Sequence, residues 1–250
     1  MYAQMKKLTT SPFVLGTLLF LGLSSCTASQ IQQAVDGAIA TQTGRGGPLT
    51  QNEVAMGLRE ALSQGITRGA NQAGQTDGYY KNSLIRIPFP QDVQRVEKTL
   101  RSIGLGSEVD KFVMTLNRGA EDAAKSAVPI FISAIKQLTF SDVWNILRGE
   151  KDAATQFLKR TTTSQLTTAF RPVIKNSLDK VNATRYYTDL VNRYNKIPLV
   201  QKANPDLESY ATQKAIDGLF TLVAQEEANI RENPIARTTE LLRRVFGSNQ

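Results

Sequence analysis

The chain contains no histidine. That absence removes the Ser-His-Asp triad, the Cys-His dyad and every zinc site ligated through imidazole, because each lacks its base or ligand. Cysteine occurs once in 250 residues, at Cys26. No internal disulfide can form, so an exported chain must be held together by its core. Gly44-Arg45-Gly46-Gly47 is the nearest run to a phosphate loop, and it lacks the strand-turn-helix context that aims backbone N–H groups at a phosphate. No stretch has calcium-loop spacing. After Cys26, charges interrupt every apolar run long before the ~20 residues that span a bilayer. Neither a metal nor another cofactor is expected, and the chemistry left is that of carboxylates, hydroxyls and arginines.

The N-terminus is the most legible part. Lys6 and Lys7 precede a short apolar core (Phe13, Val14, Leu15, Leu18, Leu19, Phe20, Leu21, Leu23), closed by Ser24-Ser25-Cys26. Positive residues, a core too short to span a membrane and small residues before a cleavage point predict an export signal over residues 1–25. The sole cysteine falls where lipoprotein processing requires a thiol, so Cys26 is the expected lipidation site and a membrane the expected partner. Several acyl chains on one residue make such anchoring stable without a spanning helix. Thr27, where an Asp would signal inner-membrane retention, favours the periplasmic face of the outer membrane by general likeness to bacterial lipoproteins. Met5, directly before Lys6, is an alternative start to Met1. Residues 26–49 read as a flexible tether with a short helix over 30–40, and residues 50–250 as one all-helical domain.

Net charge is +8, or +6 once Lys6 and Lys7 are removed. The basic residues read as spread along the chain, with Arg243-Arg244 the strongest run, so nucleic acid is not an expected partner. Thr50 and Glu53 match a capping box, followed by Val54, Leu58, Ala61, Leu62, Ile66 and Ala73 at helical spacing. Gly65 and Gly69 on that stripe predict close approach of another helix. Asp77-Gly78 marks a turn. Ile85-Arg86-Ile87-Pro88-Phe89-Pro90 must be extended, because each proline forces its predecessor out of helical geometry; Ile85, Ile87 and Phe89 then share one side. Further helices are expected from stripes at Val93–Ile103 and Val109–Ala127, then after Pro129, from Thr139 to Leu147, at 152–159 and at 163–181. Thr161-Thr162-Thr163 reads as a junction and Pro172 as a kink or boundary. Tyr186, Tyr187, Leu190, Val191 and Tyr194 make an aromatic helix face. Residues 206–232 read as the longest helix, with Pro234 opening a last helix that ends at Gly247. The fold class is all-α, an irregular multi-helix bundle with one short extended proline-containing segment.

Candidate polar residues fall into two groups. Asp77, Tyr79, Tyr80 and Arg86 sit in the one long non-helical connection, and connections carry function more often than helices do. Tyr79 and Tyr80 fit the alternative of capping the core. Asn117, Arg118 and Glu121 lie beside the stripe of their helix, where an exposed i,i+3 or i,i+4 pair of Arg118 with Glu121 or Asp122 contributes about 0.3 kcal/mol. In the long helix, Ala215, Leu219, Leu222 and Val223 continue through Glu226 to Ile230. A carboxylate on a buried stripe requires a partner, and Arg231 and Arg237 are nearest in sequence. Glu226 therefore reads either as half of a structural ion pair or as a functional acid.

Several stretches also resemble a known family: Asp77-Gly78-Tyr79-Tyr80, Ile85 to Pro90, Asn117-Arg118-Gly119-Ala120-Glu121, and Glu226-Glu227 through Asn233-Pro234 to Val245-Phe246-Gly247. The chain is similar there to the bacterial domain of unknown function 4197. The likeness covers nearly all of residues 50–247. It departs at Gly119, where the family pattern has alanine, and at Leu138, where it has methionine. The resemblance implies an exported helical protein of a Gram-negative bacterium and no particular activity.

Three functions follow as expectations. The first is a non-enzymatic binding or scaffolding protein of the envelope with a protein partner. The second is a carrier of a lipid or small apolar ligand, lined by residues such as Phe131, Tyr186, Leu219 and Phe220. The third is a carboxylate-dependent hydrolase of cell-wall glycan or peptide using Glu226 or Glu121, which needs two carboxylates about 5–10 Å apart across a cleft.

Overall fold

The computed structural model describes residues 49–247. The residues expected to form the leader and the tether, Cys26 among them, lie outside the described residues, except Leu49, which packs against the core. From Leu49 onward the chain packs as one unit whose buried apolar side chains come from within it, the property of a segment able to fold alone.

Among the described residues there are nine α-helices and no strand. They are α1 (Gln51–Gly74), α2 (Gln94–Ser102), α3 (Gly106–Ala124), α4 (Ala127–Lys136), α5 (Phe140–Arg148), α6 (Ala153–Asp179), α7 (Ala183–Tyr194), α8 (Leu207–Glu232) and α9 (Glu240–Gly247). Helices α1, α3, α6 and α8 form the central bundle. α4 and α5 pack on α1 and α6, α9 packs on α1, α7 leans on α6 and α8, and α2 rests on α3.

Local chemistry explains most boundaries. Thr50 and Glu53 form the capping box that opens α1, each satisfying the other's free backbone donor. The same device, Thr139 with Asp142, opens α5. Gly65 and Gly69 face Glu226, Ile230 and Leu222 of α8, where a Cβ would fall 3.3–3.5 Å from its nearest neighbours; α1 and α8 are thus in close approach. Pro129 is not the break before α4. The chain turns at Lys125 and Ser126, and proline occupies the first turn, where its missing N–H has no intrahelical partner to lose.

The expected junction at Thr161-Thr162-Thr163 is absent. α6 runs through it as a single 27-residue helix, longer than the 26-residue α8. Each threonine hydroxyl donates to the carbonyl four residues earlier, at Phe157, Leu158 and Lys159, so none competes for another backbone conformation. Pro172 also stays inside α6. An interior proline costs about 3 kcal/mol. Leu158, Leu166, Phe170, Ile174 and Leu178 are all fully buried along this helix, and each contributes roughly 1.5–3 kcal/mol. Burial wins.

The last helix likewise begins later than Pro234. Residues Pro234–Ala236 form a 3-10 turn. The buried Arg237 then donates to the carbonyls of Ile230 and Arg231, capping the end of α8. Thr239 accepts from the Leu242 N–H, so the helix restarts at Glu240.

Candidate functional site

The turn after α1 and the segment that follows it bring seven of the candidate residues together. Asp77 adopts a left-handed conformation, with φ of 68°, and turns Tyr79 and Tyr80 towards α3. One oxygen of Glu121 accepts the backbone N–H groups of both tyrosines at 3.1 Å. The other accepts from Arg118, which also reaches Asp77 at 2.6 Å. Glu121 is 3% exposed, so this is a buried crosslink between loop and helix. The exposed i,i+3 pair read from the sequence is corrected accordingly, and Asp122 pairs with Lys125 instead. Lys81 and Arg118 beside Asp77 hold its carboxyl below the usual carboxylate range.

Tyr79 is fully buried and donates its hydroxyl to the Ala215 carbonyl of α8. Gly218 makes room for it: a Cβ there would lie 2.8 Å from the Tyr79 ring. Burial, reinforced by the charge of Glu121, pushes the Tyr79 phenol far up, so it is neutral. Tyr80 lies under two guanidinium groups, Arg86 at 4.9 Å and Arg118 at 5.6 Å from its ring centre.

Asn117 organises the extended segment. Its carboxamide oxygen accepts the Ile87 N–H at 2.8 Å, and its amide donates to the Ile87 carbonyl at 2.8 Å and to Val113 at 2.7 Å. A side chain thus stands in for the neighbouring strand that the prolines at 88 and 90 deny this segment. Ile85, Ile87 and Phe89 point inward and Arg86 outward, as the alternation predicts.

Glu226 and Arg231 do not join this cluster or each other. Glu226 pairs with Arg68 of α1 at 2.8 Å. The buried carboxylate is its neighbour Glu227, 6% exposed, which Arg231 grips at 2.8 Å while also donating to the Ile146 carbonyl. Glu227 also accepts the Ala154 and Thr155 N–H groups and the Thr155 hydroxyl. It caps the N-terminus of α6, which has no side-chain cap from its own Asp152. Both 226 and 227 satisfy the apolar spacing of α8, so nothing in the sequence distinguished them.

In both polar clusters each oxygen of the buried glutamate, Glu121 or Glu227, is committed to donors. A polar depression of about 410 Å³ lies beside Asp77 and Lys81, and a second open feature is apolar. A groove of about 790 Å³ lies between the α2–α3 wall and α7. Phe89, Phe112 and Tyr187 form its floor, with ring centres 5.0 Å apart for Phe89–Phe112 and 6.1 Å for the stacked Phe112–Tyr187. Leu100, Leu105, Val181, Tyr186 and Leu190 form the walls, and Glu108, Lys111, Asp189 and Arg193 the rim. Burial pushes the Tyr187 phenol up to about 12, so the floor remains neutral.

The sequence reading missed this groove. Its signal was present in the stripe Val96, Leu100 and Ile103: α2 buries none of its residues fully, and Ile103 is 64% exposed. The expected ligand-lining residues are corrected in part. Phe131, Leu219 and Phe220 belong to the packed core, with Phe131 against Phe220 at 5.7 Å, and only Tyr186 borders the groove.

The family model described as "Protein of unknown function (DUF4197)" matches residues 48–247. The chain belongs to the DUF4197 family. It matches no curated protein and no solved structure. In this DUF4197 chain no group of three or more acidic or cysteine side chains is placed to hold a metal among the described residues. No described helix is long and apolar enough to cross a membrane. An alanine at the position of Gly119 would set a Cβ 3.3 Å from Ser177, tight by only a few tenths of an ångström.

Proposed function

We propose that this chain is a lipid-anchored envelope protein, held through Cys26, that works by binding and not by turnover. Its ligand is the elongated apolar part of a molecule of the acyl-chain class, held in the groove between α3 and α7. The groove itself carries this reading: its volume of about 790 Å³ falls within the ~300–1,000 Å³ of small-molecule sites, and such sites combine an apolar lining with a few polar rim groups. A second reading is a scaffolding protein that accepts a partner's amphipathic helix in the same groove. The rim favours it by presenting both signs, Glu108 and Asp189 with Lys111 and Arg193. The hydrolase reading loses its acid, since Glu226 and Glu121 are each committed to an arginine.

Native mass spectrometry of residues 49–250, exported and purified gently, tests the proposal. Extra mass that is lost on denaturation, extracts into organic solvent and disappears in Leu190→Glu is the expected result. A bare mass together with a protein adduct from a photocrosslinker at position 190 in intact envelopes would replace the first reading with the second. Neither adduct nor extra mass would refute both.

A further inference from the structure

Unpaired positive charge is densest along one stretch of the chain, residues 180–202. Between residues 180 and 202 lie five cations, Lys180, Arg185, Arg193, Lys196 and Lys202, against a single acid, Asp189. All five are exposed, and none forms an ion pair among the described residues. Elsewhere many arginines are paired, including Arg68, Arg101, Arg118 and Arg231, and the exposed cations without an ion pair, such as Arg95, Lys98, Lys136, Arg148 and Lys214, are scattered over several helices. The even spread of basic residues read from the sequence is therefore not an even spread of free charge.

Exposed apolar side chains interleave with these cations. Val181, Tyr186, Ile197 and Leu199 all stand in solvent. Across the groove mouth, Ile103 and Leu105 are exposed as well. On α7, Tyr187 and Val191 point inward, which leaves Arg185, Tyr186 and Arg193 on the outward arc together with the single acid, Asp189. Leu199 is fully exposed with φ of 65°, a left-handed conformation that β-carbon crowding disfavours for leucine.

We propose that this face is a docking surface for a bilayer containing anionic lipid, with α7 lying along the headgroups and Ile197 and Leu199 entering the acyl boundary. Cations match the headgroup charge. The interleaved apolar side chains gain nothing from a soluble acidic polymer, but they gain burial at the headgroup–acyl boundary. Neither the anchor at Cys26 nor an occupied groove is required, and a groove opening beside this face would meet acyl chains directly.

Vesicle co-sedimentation of residues 49–250 tests this. Binding is expected to phosphatidylcholine vesicles containing phosphatidylglycerol and not to phosphatidylcholine alone, and it should weaken as salt is raised. Each cation near the surface changes partitioning about fivefold, so Lys180→Gln with Arg185→Gln should weaken it about 25-fold. Leu199→Gly relieves the backbone and should raise the thermal midpoint while lowering vesicle binding. A merely structural Leu199 would not move those two readouts in opposite directions. Equal affinity for both vesicle types, or no binding to either, overturns the proposal. So does binding indifferent to Ile197→Ser and Leu199→Gly but matched by polyglutamate beads, which would assign the face to an acidic polymer.

Discussion

Replacing Asn117 by leucine keeps the branching and the number of heavy atoms of the side chain and removes its hydrogen bonds. The residue is fully buried, and its amide is the partner of both the N–H and the C=O of Ile87. In Asn117→Leu those two backbone groups are stranded away from water, at about 1–3 kcal/mol each. Leucine is itself at home in a core, which offsets part of the loss, so a net destabilisation of about 3 kcal/mol is expected. Domains have only about 5–15 kcal/mol in total. For a unit of this size the shift amounts to roughly 6–12 °C in Tm. Urea unfolding followed by circular dichroism gives the same quantity independently, with the midpoint falling and the slope unchanged. Phe89, two residues on, forms part of the groove floor, so Asn117→Leu should also weaken groove binding at temperatures where the domain is still folded. A variant within about 0.5 kcal/mol of the parent would refute the account of Asn117 as the substitute for a strand partner.

Two adjacent glutamates should behave oppositely. Glu227→Gln leaves Arg231 without its carboxylate in a largely buried position, an effect of about 3–5 kcal/mol, whereas Glu226→Gln breaks a pair whose arginine is 41% exposed and should cost under about 1 kcal/mol. Comparable losses in chemical denaturation would reverse the assignment of which residue faces inward. Gly218→Ala should be strongly destabilising, because its Cβ would meet the Tyr79 ring at 2.8 Å and Ile85 at 3.0 Å; an unchanged Tm would show that the Tyr79 ring is free to move. Asp77, Asp142 and Asp206 are held below the ordinary value of 3.8 by Lys81 and Arg118, by Thr139 and by Ser209 respectively. A depressed folded-state pKa means the unfolded chain takes up protons first, so this stability is present above about pH 4 and is lost as pH falls below it. The Tm should drop over that acid range, and less steeply in Asp142→Asn.

Several features follow from short stretches of sequence because their causes are short-range. The capping box at Thr50 and Glu53, the inward alternation of Ile85, Ile87 and Phe89, and the apolar stripes of α1 and α3 each rest on neighbours within a turn or two. The all-helical class follows from those stripes. The family's motifs are visible in the same way, at Asp77-Gly78-Tyr79-Tyr80 and Asn117-Arg118. Tertiary structure decided whatever depended on a partner far along the chain. Arg118 and Glu121 read as a surface pair until Tyr79 and Tyr80, about 40 residues away, bring their N–H groups to the carboxylate and bury it. Glu226 and Glu227 fit the same apolar spacing, and only the N-terminus of α6 on one side and Arg68 on the other separates them. The threonine run and Pro172 look like breaks locally, yet burial along α6 outweighs both. The groove arises in the same way, from an amphipathic α2 resting mainly on α3, with Phe112 and Tyr187 stacked as the floor between α3 and α7. Helical spacing shows that a face is apolar, but packing determines which faces are covered, and it left this one open.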